Sequence, residues 1–307
     1  MMNDECRMTA AEARVSSFIL HPSSLALAVF VLAGCAGGSG APATPPAPGA
    51  PKPPAGPAAE PETVKPPYLV YEAAGRRVSV DAFGKEREAK LSQKVYVGDK
   101  GLRTEIQGQG EGEKQLVGIL RLDRKVIWQL DDAAKTYGQV TFGEAAGSIQ
   151  GVKDLLARRL KDEQLAPEKR RALEVALGLK QPKVEVKADP EPVELLGRKC
   201  RHIRYYEDGE LRIEEWAVQG LVVPCDLAEV RALTGDFSPG LLSELKRRRS
   251  FALKSRIIGR LPAPGIPRLS EFEVTSLELP EKLDPKLFEI PEGYKLEKPG
   301  AAARREE

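Results

Sequence analysis

Between residues 68 and 142 apolar and polar positions alternate in short runs broken by turn residues, the period-2 signature of half-buried strands. Tyr68-Leu69-Val70-Tyr71 opens the series, Gly75 reads as a turn before Val78-Ser79-Val80, and Lys94-Val95-Tyr96-Val97 runs into Gly98-Asp99-Lys100-Gly101. Strands over 119–122 and 126–130 flank Asp123-Arg124, and Asp131-Asp132-Ala133-Ala134-Lys135 turns the chain into a strand over 137–142. The period then changes. Ile149, Val152, Leu155, Leu156 and Leu160 fall on one helical face, and a second helix carries Pro167 in its first turn, places Leu173, Ala176 and Leu177 on one side, and stops near Gly178. Strands resume over 200–206 and 211–218 about Glu207-Asp208-Gly209, a strong hairpin signal. Short helices over 226–233 and 239–249 and strands over 251–258 and 271–277 complete the pattern. It predicts an α+β fold, with helices packed against one face of a curved antiparallel sheet of about ten strands.

The first fifth of the chain follows other rules. Leu25-Ala26-Leu27-Ala28-Val29-Phe30-Val31-Leu32 is an uncharged apolar run preceded by Arg14 and followed by small residues, the three-part layout of a signal peptide. It is far shorter than the roughly 20 apolar residues of a spanning helix. Leu32-Ala33-Gly34-Cys35 resembles the lipobox of bacterial lipoproteins, in which a diacylglycerol is joined to the cysteine sulfur and the signal is cut just before it. That resemblance implies a signal peptide over 1–34, a covalent acyl lipid on Cys35 and a membrane anchor, each buried methylene contributing about 0.8 kcal/mol. Ala36 stands where some lipoprotein families carry a retention aspartate, which implies the outer membrane, facing the periplasm. Asp4, Glu5 and Glu12 make the start more acidic than a signal should be, so a start at Met8 or later also fits. Residues 35–67 are rich in Pro, Ala and Gly and read as a disordered tether, able to extend on the order of 100 Å in polyproline II. Residues 68–296 form the globular domain and 297–307 a charged disordered tail.

Charge and cysteine content narrow the partners. Lysine and arginine total 47 against 45 acidic residues, a formal +2 that gives no footprint for nucleic acid. Of four cysteines, Cys6 precedes the signal and Cys35 ends it, leaving Cys200 and Cys225 in the domain. After export that pair admits a disulfide, if the chain beyond Val223 folds back, or two buried apolar thiols.

Val126-Ile127-Trp128-Gln129-Leu130-Asp131 leading to Lys135-Thr136-Tyr137, Gly197-Arg198-Lys199-Cys200 leading to Glu215-Trp216, and Leu287-Phe288-Glu289-Ile290-Pro291-Glu292-Gly293-Tyr294 together resemble a family of bacterial exported domains of unknown function. That family is related to the LolA, LolB and RseB lipoprotein-carrier superfamily. The resemblance implies a half-open β-barrel whose concave face is apolar, partly plugged by helices and able to hold acyl chains, with the helices between Gly147 and Gly178 as lids. The long insert and the two interior cysteines depart from the best-known carriers, and no ligand contact carries over.

Catalysis needs convergent titratable or nucleophilic groups. The histidines are His21, which leaves with the signal, and His202, which alternates with Cys200 and Arg204 on one strand. A Cys-His nucleophile or a metal site on these residues is the enzymatic reading, and a strand histidine is the bland one. No phosphate loop, zinc-type spacing or serine-hydrolase elbow is present. Trp128 and Trp216 are candidates to line an apolar trough, with core packing as the alternative. Lys246-Arg247-Arg248-Arg249 reads as a helix cap or a lipid-facing patch. The sequence points to a non-enzymatic envelope lipoprotein without a cofactor, binding a lipid or a lipidated partner. The alternative is an interaction or sensor module whose barrel is filled by its own helices. Oligomeric state is not legible.

Overall fold

A computed structural model of the chain describes residues 63–80, 85–108, 115–161, 164–259 and 267–297. The signal segment, the lipobox with Cys35, the tether as far as residue 62 and the tail from residue 298 lie outside the described residues. In chain order the elements are β1 (Leu69–Val80), β2 (Glu86–Gly98), β3 (Gly101–Gly108), β4 (Leu116–Arg121), β5 (Val126–Asp131), β6 (Thr136–Thr141), α1 (Phe142–Leu160) and α2 (Pro167–Ala176). There follow β7 (Val184–Ala188), β8 (Val193–Leu195), β9 (Arg198–Glu207), β10 (Glu210–Val222), α3 (Ala228–Ala232), α4 (Pro239–Arg247), β11 (Ser250–Ile258) and β12 (Pro267–Glu278). A 3₁₀ turn at Pro285–Phe288 and β13 (Lys295–Leu296) end the described chain.

All of these strands join one unclosed sheet of 13 strands in the order β13-β6-β5-β4-β3-β2-β1-β12-β11-β10-β9-β7, with β8 also on β9. Pairing is antiparallel except where β13 meets β6. The fold is therefore α+β and mostly sheet, with 13 strands where the pattern suggested about ten. Two expected strands merge into β1, because Gly75 is not a turn. A Cβ there would lie 2.6 Å from the Glu271 carbonyl oxygen of β12, so the glycine permits a close approach of two strands beside a register shift. Strands β3, β7, β8 and β13 are additions to the expected set. The β9–β10 turn is as expected: Asp208 and Gly209 both have positive φ, +52° and +87°, as a type I′ hairpin requires.

Helix α1 begins five residues earlier than Gly147. The Thr141 hydroxyl accepts from Glu144 N–H at 3.2 Å while the Glu144 carboxylate accepts from Thr141 N–H at 2.7 Å, a capping box that claims Phe142 for the helix rather than for β6.

The two faces of the central strands differ sharply. One face of β1, β2, β11 and β12 carries cross-strand ion pairs: Lys94–Glu72 at 3.3 Å, Arg76 with Glu88 and Glu271, Arg256–Glu271 at 3.2 Å and Lys254–Glu273 at 3.0 Å. Exposed pairs of this kind contribute little each, but they mark the solvent face. The opposite face carries the core: Leu69, Tyr71, Val95, Val97, Ile203, Tyr205, Ile213, Phe251, Leu253, Phe272 and Val274. Helix α4 lies on it through Leu241 and Leu245, at 0% and 2% exposure. The helix is set by Pro239 in its first turn and by the Ser238 hydroxyl, which accepts from Leu241 N–H at 3.2 Å. The expected lids α1 and α2 contribute less: among their described side chains only Phe142 of α1 joins this core, and Leu155 is exposed.

Candidate functional site

The core face is not uniformly apolar. Along β2 the buried side chains are Leu91, Gln93, Val95 and Val97, and along β3 they are Leu102, Thr104 and Ile106, the glycines Gly98 and Gly101 of the connecting turn being buried too. Period 2 therefore places Gln93 and Thr104 on the same face as the valines and leucine of the core. Gln93 pairs with Ile106 and Ala73, and Thr104 with Val95 and Gly118. This row of a polar, a hydroxyl and small side chains separates the main core from a smaller cluster of Leu91, Ile106 and Leu116 further along the same strands. Gln93 is 3% exposed and Thr104 is fully buried. Neither amide atom of Gln93, nor the Thr104 hydroxyl, has a hydrogen-bond partner among the described residues. Arg77 follows on β1 at the far end of the same face, its register partners Ala89 and Ser270, and burial pushes its guanidinium down to about 10.

A second polar group lies under the helices. Glu215 of β10 is buried beside its register partner Ser255 of β11, with Tyr205, Arg231 and Arg248 close enough to act on its charge. Burial pushes the Glu215 carboxyl up to about 7 against the opposing pull of those groups. Nearby, Arg212 donates from Nε to Glu207 at 3.1 Å and from Nη2 to the Asp236 carbonyl at 3.3 Å, tying the β9–β10 hairpin to the segment before α4.

The side chains singled out in the sequence stand elsewhere. Trp128 is 5% exposed on the reverse face of β5, in a separate cluster with Val117, Ile119, Val126 and Leu130. The segment bearing Ile290 and Tyr294 covers that cluster. Its indole donates to Gln139 Oε1 at 3.0 Å. Arg121 donates to Asp123 of its own turn, and it anchors the covering segment by donating to the Phe288 carbonyl at 3.2 Å and to Glu289. Trp216 faces the ion-pair side, stacked on His202 with ring centroids 4.4 Å apart and with Lys254 above its ring. Neither tryptophan lines a trough on the core face.

His202 Nδ1 lies 2.7 Å from Asp189 Oδ2 and Nε2 lies 2.8 Å from Glu214 Oε1. Both nitrogens thus meet carboxylates rather than Cys200, and hydrogen bonding to His202 holds the Asp189 carboxyl below its ordinary range. Cys200 and Cys225 are free and buried rather than bonded to each other. Burial pushes the first thiol up to about 11 and the second up to about 12, which suppresses the reactive thiolate. The Cys-His pairing is not assembled, and no group of three or more His, Cys, Asp or Glu side chains is arranged to hold a metal ion among the described residues.

No family model matches the chain, and no curated protein matches it. Solved structures with some likeness include PNGF-II, at 14% identity and a TM-score of 0.29, covering 78% of this chain; this chain spans 32% of that one. Another is a LolA superfamily protein, NE2245 of Nitrosomonas europaea, at 8% identity and a TM-score of 0.25, covering 72% of this chain and 89% of that one. Likenesses this distant transfer neither fold nor activity, so the functional reading rests on the geometry.

Proposed function

We propose that this chain is a lipid-anchored protein of a bacterial envelope, tethered through Cys35, whose sheet acts as a half-open barrel and holds a lipid or a lipidated partner on its core face without transforming it. The observation that supports it is the break in that face at Gln93 and Thr104, where buried polar atoms interrupt two apolar clusters and find no partner in the described protein. An acyl ligand needs apolar area and a few placed polar groups, not a nucleophile. A photoactivatable acyl lipid supplied to bacteria making the full chain tests the reading. Crosslinks to β2, β3 and β12 at core-face positions are expected, and crosslinks confined to the ion-pair face would sink it.

A second reading, an interaction module whose barrel is filled by its own helix, is favoured by the complete burial of Leu241 and Leu245 against the same face. It predicts no crosslink on the core face at all.

A further inference from the structure

Gln93 and Thr104 sit diagonally across the β2–β3 ladder, Gln93 opposite Ile106 and Thr104 opposite Val95. They place one amide donor group, one amide acceptor and one hydroxyl on the same buried face, each without a partner among the described residues. Their register neighbours Ala73, Val95, Ile106 and Gly118 bring no charge to the row. Small residues flank it within the sheet, Ala73 on β1 and Gly118 on β4, so neither lateral neighbour supplies a polar side chain to pair with it. Buried donors and acceptors are almost always satisfied in folded proteins, because leaving them unmade is costly. We infer that Gln93 and Thr104 recognise an uncharged hydrogen-bonding group, an ester, amide or hydroxyl, carried by an otherwise apolar ligand. The inference rests on the reading of the core face as a ligand site and adds the chemistry of what is read there.

Apolar contact on either side of the row fixes where that group must fall. The clusters around Val95 and around Leu91 would hold chain, and the polar linkage would sit between them. A wholly hydrocarbon ligand would leave the row unsatisfied. An anionic head would be drawn instead toward Arg77 at the far end of the face.

The test is native mass spectrometry of the full chain with 1-oleoylglycerol and, separately, with oleate, for the wild type and for Q93L/T104V. The wild type is expected to bind 1-oleoylglycerol at one per chain. The double variant is expected to lose about tenfold in affinity while its ligand-free melting temperature holds or rises, since two unpaired groups have been removed. T104V alone, closest in shape, should lose a smaller part of the affinity and guards against a folding defect in the double variant. Equal binding of 1-oleoylglycerol by wild type and variants overturns the assignment of Gln93 and Thr104 but leaves the ligand reading standing. Oleate binding tenfold tighter than 1-oleoylglycerol overturns the uncharged class. No binding of either probe by any form defeats both readings, and variants that then melt lower than the wild type would show that trapped water alone satisfies the row.

Discussion

Glu215 shows how a single residue couples this core to pH. Burial pushes its carboxyl from 4.5 up to about 7 against the downward pull of Arg231, Tyr205 and Arg248. The folded chain therefore keeps that proton where the unfolded chain has released it. Its contribution to stability is full below the unfolded value and is lost as pH rises through about 7, a change of about 3 kcal/mol. Glu215→Gln, neutral and similar in shape, should flatten that dependence and leave the variant more stable than wild type at about pH 8; urea titrations at several pH values read the difference. A wild-type minus variant difference that does not change with pH would show that Glu215 titrates in the fold as it does in the unfolded chain. Arg121 acts in the other sense, as a buried anchor. Arg121→Ala should cost about 2 kcal/mol or more and shift Trp128 emission to the red as the covering segment loosens. Unchanged emission would mean that apolar contact from Ile290 and Tyr294 holds the segment unaided. The sequence marked neither role, since a glutamate and an arginine on alternating strands look like solvent-face residues until burial is known.

At the scale of elements, α4 and the tight turns carry the sharpest expectations. Leu241→Ala should cost 2–5 kcal/mol, the usual range for a fully buried leucine, whereas Leu155→Ser on the exposed side of α1 should stay within about 0.5 kcal/mol. Comparable losses at both positions in denaturant melts would mean that α1 covers more of the core than its exposure suggests. The β8–β9 turn uses Leu196 at φ +48° before Gly197 at +68°, an unfavourable place for a branched, half-exposed side chain. Leu196→Gly should raise stability by up to about 1 kcal/mol, and a loss there would point to a contact that repays the strain. Asp208-Gly209 was legible because its residue types fit a type I′ turn, β5 and β9 because they gather β-branched and aromatic residues between turn signals, and α4 because Leu241, Leu242 and Leu245 fall at helical spacing. Strand β3 was missed although Leu102, Thr104 and Ile106 alternate with Arg103 and Glu105: a buried threonine between charged residues weakens the apolar signal. The β1 break was misread because a glycine that permits strand contact and one that makes a turn look alike in sequence.

For the whole molecule, composition and the N-terminal segment suggested where the chain works, and alternation gave a two-faced sheet. They could not say which face each tryptophan takes, because one insertion or bulge between Leu211 and Ile213, or between Trp216 and Ala217, reverses the parity downstream. The candidate site was hidden for a related reason. Gln93 and Thr104 become notable only once their strands are paired and buried, and once Gly118 and Ala73 are seen beside them. The central claim is that the core face holds an acyl ligand. Native mass spectrometry of the full chain, extracted gently from a bacterial envelope, tests it most directly. About one non-covalent acyl lipid per chain, beyond any lipid joined to Cys35, is the result this account predicts. A folded, cooperative chain that carries no such ligand would contradict it and would leave the self-filled interaction module in its place.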